Sequence, residues 1–185
     1  MACRVLRSAH DDGVPVPLGG VNSVAVVRAG RAEDAALRRL VQLYVYDFSE
    51  ILPLDLDDDG TFGALPLDGL WDDPRRSVFF VRVGGRLAGF AIVRRGSRLT
   101  GDADVWDVEE CLVVRRHRRA GVGRAFAAWL FREHPGRWEV RQRREATAAT
   151  AFWRRAISEF TGDRYAEIHL DDERWRGPVQ RFEST

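Results

Sequence analysis

The sequence contains no lysine, so all 29 of its basic residues are arginine. This absence excludes a lysine nucleophile, a Schiff base and the lysine of a phosphate-binding P-loop. Only two cysteines are present, Cys3 and Cys111, too few for a disulfide framework or a four-cysteine metal site. No apolar run approaches the roughly eighteen residues that span a bilayer or, near the start, the length of a signal peptide. We therefore expect a cytoplasmic protein with no membrane segment.

The composition that remains is typical of one folded domain. The 185 residues are 45% hydrophobic and 10% aromatic, enough for a substantial core. The 29 basic and 28 acidic residues give a net charge of +1, so no overall field draws the protein to nucleic acid. A disordered or fibrous protein is excluded.

The first half of the chain combines one strand, one helix and a long acidic loop. Residues 1–21 are rich in proline and glycine and predict a flexible N-terminal tail, followed by a strand over 22–29. Apolar residues at helical spacing predict an amphipathic helix over 32–48. Residues 51–74 contain seven aspartates but lack the ligand pattern of a calcium loop, so we interpret them as a solvated loop.

The second half predicts strands and helices in alternation. Two strands form a hairpin that turns at Gly84-Gly85. The next strand, the fourth in chain order, runs to Val113, and a helix covers 121–133. A strand, a helix over 149–160 and two final strands follow. The fold class is α/β: one domain over 22–185 with a mixed sheet of about seven strands and three to four helices, in the order β-α-(α)-β-β-β-α-β-α-β-β.

The segment most indicative of chemistry follows the fourth predicted strand. Arg118-Arg119-Ala120-Gly121-Val122-Gly123 has the pattern R-x-x-G-x-G and opens a helix. Glycines allow close backbone approach, and the first N–H groups of a helix are free donors at the positive end of its dipole. The segment therefore predicts a site for an anion such as a pyrophosphate.

This pattern, at this place in the element order, resembles the GCN5-related N-acetyltransferase (GNAT) superfamily. The segments Tyr44 to Glu50 and Pro53 to Gly63 resemble a bacterial subgroup of those acetyltransferases that has no firm substrate. The resemblance implies that acetyl-CoA lies where the fourth and fifth strands splay apart. It implies the following cofactor-binding residues: Cys111, Leu112, Val113, Arg118, Arg119, Ala120, Gly121, Val122, Gly123, Arg124 and Phe152.

Acetyl transfer to an amine needs a base, because an alkylamine with a pKa of about 10.4 is protonated at pH 7. We expect Glu109 or Glu110 first, then Glu139 and Asp107. Strand alternation alone places Asp107, Glu109 and Cys111 on one face and Glu110 on the other. A bulge, which the family fold places in this strand, would change that alternation.

The predicted third helix departs from the family pattern. Where members carry asparagine and a proton-donating tyrosine, this sequence has Ala146 and Trp153. An indole has no proton to give at neutral pH, so the thiolate leaves unassisted or Tyr44, Tyr46 or Tyr165 takes the role. Loss of activity with retained CoA binding is the further alternative.

The acceptor side of the resemblance falls on the first helix and the acidic loop. We expect Tyr44, Tyr46, Asp47 and Glu50 to bind the substrate and to favour a cationic amine. The sequence thus predicts an acetyl-CoA-dependent N-acetyltransferase that acts on a primary amine of a small molecule or peptide by direct transfer in a ternary complex. The alternative is a catalytically weak or inactive acyl-CoA-binding or regulatory domain. We expect no metal, nucleic acid or membrane partner, and a homodimer is open.

Overall fold

The computed structural model describes residues 14–16, 23–63 and 67–185. One mixed sheet contains eight strands: β1 (Val14–Val16), β2 (Val24–Ala29), β3 (Arg76–Val83), β4 (Arg86–Arg95), β5 (Val105–Val113), β6 (Gly136–Arg141), β7 (Tyr165–Asp171) and β8 (Arg176–Ser184). Three α-helices accompany them: α1 (Asp34–Phe48), α2 (Val122–Glu133) and α3 (Thr147–Thr161). None of these helices is long and apolar enough to cross a bilayer.

The strand order is β1-β2-β3-β4-β5-β6-β8-β7. Every neighbouring pair is antiparallel except β5 with β6, which are parallel and joined through α2. The predicted single α/β domain and its seven strands are confirmed, and the short β1 pairs with β2 as an eighth. The flexible tail predicted over 1–21 lies outside the described residues except for β1, and stays a prediction.

The helices cover the two faces of the sheet unequally. Helix α1 buries Leu37, Leu40 and Val41 against one face, where β3 and β4 contribute aromatic and β-branched side chains. Helices α2 and α3 pack side by side on the other face, in a core that includes Phe126 and Trp138. The apolar spacing of each helix therefore matches the face that it buries.

Two irregularities of β5 shape the middle of the sheet. Its pairing with β4 shifts register between Ile92 and Val93, which leaves Glu109 as the extra residue of a β-bulge. Its pairing with β6 is confined to residues 105–107 and 137–139, although both strands run further. Beyond Asp107 no residue of β5 pairs with β6, and we call the interval between the unpaired parts of these two strands the cleft.

A glycine keeps β4 close to the free half of β5. A Cβ at Gly89 would lie 2.0 Å from the carbonyl oxygen of Leu112, which is backbone and cannot yield as a flexible side chain would. Only glycine therefore fits at this position of β4.

We predict that Gly89→Ala lowers the free energy of unfolding by about 2 kcal/mol or more, because β4 and β5 must separate to admit the methyl group. Urea denaturation measures this. Gly63→Ala is the matched control, since no atom lies within 4 Å of a Cβ built there and its φ is not positive. Equal stability of the two variants would contradict the prediction.

Candidate active site

The connection from β5 to α2 presents a row of free backbone donors. A short 3-10 helix over Arg115–His117 is followed by left-handed backbone at Arg119 (φ 61°) and Gly121 (φ 81°), and α2 begins at Val122 with no side-chain cap. Among the described residues, the backbone N–H groups of residues 119–124 have no acceptor. Six donors at the positive end of α2 form a cradle for an anion.

The cradle is tied to α1 by one carboxylate. Asp47 Oδ1 accepts from Arg115 Nε at 2.9 Å, and its Oδ2 accepts from Arg118. Arg118 Nε also donates to the carbonyl oxygen of Val113 at 2.7 Å. Asp47, expected on the substrate side, thus orders two arginines of the predicted cofactor loop.

Gly123 serves helix packing. A Cβ at Gly123 would lie 3.0 Å from a ring carbon of Phe152, so glycine lets α2 approach α3 at this point. Phe152, a predicted cofactor residue, therefore lies against the first turn of α2, beside the free N–H groups.

The cleft exposes one edge of β5. Cys111, Leu112 and Val113 pair with β4 on one side, and on the other side no strand of the described residues pairs with them. The backbone groups of this edge that point away from β4 can accept an extended chain as an added strand, except the Val113 carbonyl oxygen, which already accepts from Arg118 Nε. Three predicted cofactor residues thus lie on the edge that leads to the cradle.

Three of the four candidate bases are held by arginines. Glu109 is 2% exposed at its side chain and accepts from Arg76 Nε at 2.8 Å, with Arg98 Nη2 3.0 Å and Arg94 Nη1 3.6 Å from its Oε1. The bulge directs this carboxylate into the arginines of β3 and β4. Three guanidinium groups therefore lie within 4 Å of this carboxylate.

Asp107 and Glu139 flank the point where β5 and β6 part. Arg141 Nη2 donates to Asp107 Oδ2 at 2.6 Å, and burial nevertheless raises the pKa of Asp107. Glu139 accepts from the Ser97 hydroxyl at 2.5 Å and from Arg181 Nε at 2.8 Å. Both carboxylates are therefore held by hydrogen bonds at the end of the cleft where β5 and β6 are still paired.

Glu110 is the fourth candidate base, and its environment differs from those of the other three. The pKa of Glu110 is raised to about 7. Burial is the main cause, a hydrogen bond from Tyr44 acts in the opposite direction, and the charge of the neighbouring Glu109 adds to the rise. Burial and the same carboxylate raise the pKa of the Tyr44 hydroxyl well above its ordinary value. Glu110 is therefore poised to exchange a proton near neutral pH.

The simple alternation expected for β5 is wrong, and the bulge at Glu109 is the reason. Val108 and Cys111 both belong to the core under α2 and α3, whereas Leu112 packs on the α1 face and Glu110 meets Tyr44 of α1. One extra residue moves every later side chain to the opposite face.

The remaining candidates differ in their surroundings. Tyr46 is 55% exposed and Glu50 is exposed at the end of α1, whereas Trp153 is buried in the core. Burial is the main cause that raises the pKa of the Cys111 thiol to about 12, so this thiol is protonated at neutral pH. Tyr165 packs against the core under α2 and α3.

Sequence reasoning missed the arginines around these carboxylates. Arg98 and Arg141 both act on Glu110, although they come from a turn and from the end of a different strand. The sequence gives only weak signals for these two arginines. Arg141 lies two residues after Glu139 on β6, so both side chains point to the same face, and Arg98 lies shortly after the end of β4. Among the described residues no cluster of His, Cys, Asp and Glu is suited to a metal ion.

Comparison with known proteins finds a family model and solved structures that match this chain. The model of the acetyltransferase (GNAT) family matches residues 37–157. No curated protein matches the sequence.

Solved structures share the fold at low identity. A nourseothricin acetyltransferase is 19% identical, with 88% of this chain and 99% of that chain covered and a TM-score of 0.54. An acetyltransferase from Thermus thermophilus is 19% identical, with 86% and 96% covered and a TM-score of 0.59. YncA from Salmonella typhimurium, solved with its cofactor acetyl-CoA, is 14% identical, with 88% and 94% covered and a TM-score of 0.59.

We predict that Glu110→Gln changes the dependence of stability on pH. The folded state raises the pKa of Glu110 from 4.5 to about 7, so the wild type loses stability relative to the variant as pH rises from 4.5 to 7. The relative loss is at most about 3 kcal/mol, since Glu110 keeps some solvent contact. Urea denaturation from pH 4 to 8 measures it, and a constant difference would contradict the raised pKa.

Proposed function

We propose that this chain, which belongs to the acetyltransferase (GNAT) family and is an acetyltransferase, transfers an acetyl group from acetyl-CoA to a primary amine of a small molecule or peptide. The transfer is direct, within a ternary complex. The observation that carries this proposal is the row of free backbone N–H groups at the start of α2. This row follows directly in the chain after the unpaired edge of β5, the strand that also contains Glu110.

The residues of the cleft fit acetyl-CoA. The N–H groups of residues 119–124 would hold the pyrophosphate, and the free edge of Cys111 to Val113 would pair with the amides of the pantetheine arm. Arg118 is positioned by Asp47 beside that loop. When bound, acetyl-CoA supplies an activated thioester carbonyl.

Glu110 is our choice for the general base. An alkylamine gives up its proton at pH 7 at a cost of about 4.6 kcal/mol, so a carboxylate with a pKa near 7 at the cleft lowers the barrier. Glu109, Asp107 and Glu139 then act as positioning residues that hold β5 and β6 through their arginines.

Direct transfer is favoured by the state of Cys111. A covalent acetyl-cysteine route needs a thiolate, and a thiol with a pKa of about 12 provides almost none at neutral pH. Tyr44, held protonated beside Glu110, is the hydroxyl that can pass a proton where Trp153 cannot.

One observation favours the second candidate, an acyl-CoA-binding domain without catalysis. Trp153 is buried where the family has its tyrosine. Release of CoA in the presence of an amine panel distinguishes the two: binding of acetyl-CoA without turnover of any amine would support the second candidate.

We predict that Ala120→Glu weakens acetyl-CoA binding at least about tenfold, because it brings a carboxylate to the donors that would hold the pyrophosphate. Calorimetric titration measures the affinity. Ala120→Gln is the matched control, with the same size and no charge. Equal affinity of both variants would remove the proposed cradle.

We predict that kcat/KM of the wild type rises with pH up to about pH 7, as Glu110 loses its proton. Glu110→Gln lowers kcat about 100-fold and abolishes this limb. Tyr44→Phe moves the limb to higher pH, because the lost hydrogen bond had lowered the pKa of Glu110. A limb that persists in Glu110→Gln would assign the base to another group.

A further inference from the structure

Exposed apolar side chains are concentrated in one short part of the chain. Among the described residues, every large hydrophobic side chain that lies open to solvent falls between residues 43 and 56. These side chains are Leu43, Tyr46, Ile51, Leu54 and Leu56, exposed by 38% to 57%. Single apolar residues scattered on a surface are normal, whereas a contiguous group of them marks an interaction site. We propose that this surface binds a polypeptide acceptor, in which basic and large apolar residues lie near the amine.

The exposed group is contiguous in the fold. Leu43 and Tyr46 lie three positions apart on α1 and therefore share one face. Gln42 donates to the Phe62 carbonyl oxygen at 3.1 Å and accepts from the Phe62 N–H at 2.8 Å, which fixes the loop after α1 to the helix. The ring centroids of Phe62 and Tyr46 are 6.0 Å apart, and Phe62 pairs with Leu56 in a β-bridge. Helix and loop therefore present one formed surface.

The α1 surface, as we call Leu43, Tyr46 and residues 50–59, also carries negative charge. Five exposed carboxylates lie on it: Glu50, Asp55, Asp57, Asp58 and Asp59. None of the five forms an ion pair with a described residue, whereas the neighbouring Asp47 pairs with two arginines. The apolar side chains are thus surrounded by carboxylates that the described residues leave unpaired.

The arginines nearby do not cancel this charge. Arg115 and Arg118 both pair with Asp47, which is the main cause that raises the pKa of Arg115, and the charge of Glu50 contributes. Arg39 is exposed on α1, one turn before the apolar face begins. With all of these counted, six carboxylates stand against three guanidinium groups. The partner that fits is therefore basic as well as apolar.

The charge argues against other occupants. A second copy of this chain in a two-fold contact would bring the same surface, so carboxylates would face carboxylates. Nucleic acid and the anionic headgroups of a membrane would meet the same repulsion. A polypeptide can combine arginine or lysine with leucine, isoleucine or phenylalanine within a few residues, so it matches both features of the surface.

The α1 surface lies beside the proposed cofactor site. The guanidinium carbon of Arg115 is 5.7 Å from the centroid of the Tyr46 ring, and Asp47, the next residue, holds Arg118 of the cradle. A polypeptide on this surface would therefore lie next to the loop between β5 and α2.

A small amine held at Glu110 would not reach the α1 surface. Tyr44, which contacts Glu110, and Tyr46 are two positions apart, so their side chains leave opposite sides of α1. A helix with its side chains is about 10 Å wide, and an extended chain spans about 3.3 Å per residue. Three or four residues can thus connect a segment on the α1 surface to an amine at Glu110. This inference rests on the proposed acetyl transfer to an amine.

The first test is binding, which needs no turnover. The full-length protein, saturated with CoA, is used to select binders from a displayed library of random peptides of about twelve residues. We expect the recovered peptides to be enriched in arginine or lysine together with large apolar residues, and to bind more weakly as the salt concentration rises. Recovery of no peptide, or of peptides without basic residues, would overturn the proposal.

Variants of the apolar residues locate the contact. Leu43→Ser and Leu56→Ser should each weaken binding of a recovered peptide about tenfold, because a leucine that becomes buried on binding is lost. Both side chains are at least half exposed, so both variants should fold, and urea denaturation checks this. Unchanged affinity in both variants would overturn the proposal.

Variants of the carboxylates test the charge. Asp55→Asn combined with Asp58→Asn should weaken the same peptide about fivefold and reduce the effect of salt. Glu133→Gln combined with Glu183→Gln is the matched control, since it removes two exposed carboxylates elsewhere, on α2 and β8, that form no ion pair with a described residue. Equal effects of the two double variants would overturn the assignment to the α1 surface.

Turnover separates this inference from the proposed function. A random peptide library is incubated with acetyl-CoA, acetylated peptides are identified by mass spectrometry, and propylamine serves as the small amine. Leu56→Ser should raise the KM of an acetylated peptide and leave that of propylamine unchanged. Acetylation of propylamine but of no peptide would overturn the polypeptide acceptor alone. Binding of peptides without acetylation of any amine would overturn their role as acceptors, and no binding of acetyl-CoA would overturn the proposed function.

Discussion

The separation of β5 from β6 beyond Asp107 is the constraint on which the rest of this structure depends. Parallel strands are normally buried side by side, and here their pairing ends after three residues. The ion pair of Arg141 with Asp107 joins β6 to β5 at that point, and the ion pair of Arg181 with Glu139 joins β8 to β6. Breaking a buried ion pair by removing one partner typically costs about 3 to 5 kcal/mol, so the buried Arg141–Asp107 pair stabilises the paired end of β5 and β6.

The bulge at Glu109 divides the carboxylates of β5 between structure and chemistry. Without it, Glu110 would face the core under α2 and α3, where a carboxylate has no partner. With it, Glu109 enters a cluster with Arg76 and Arg98, and Glu110 reaches Tyr44 at the cleft. Adjacent residues with the same side chain thereby acquire different environments, and burial raises the pKa of Glu110.

A basic complement made only of arginine suits this arrangement. Guanidinium groups stay charged when buried and bind carboxylates through paired donors, as Arg141 does with Asp107. Fixed charge therefore contributes to holding β5 and β6 together at their paired end.

The prediction of elements from sequence succeeded where the signal is local. The stripe from Leu37 to Phe48 predicted α1, Gly84-Gly85 predicted the hairpin, and the six-residue pattern from Arg118 to Gly123 predicted a helix start with free donors. Local spacing cannot report that the Cβ position of Gly123 faces Phe152, because that contact joins two helices.

By itself, the sequence determined the α/β domain, the family resemblance and the anion cradle, because periodicity and glycine placement act within one segment. Only the tertiary structure decided which carboxylate is free. The four candidates are equal as sequence, and their difference arises from arginines far along the chain, such as Arg76 for Glu109 and Arg181 for Glu139. A pKa depends on burial and on the charges nearby, and both exist only once the chain has folded.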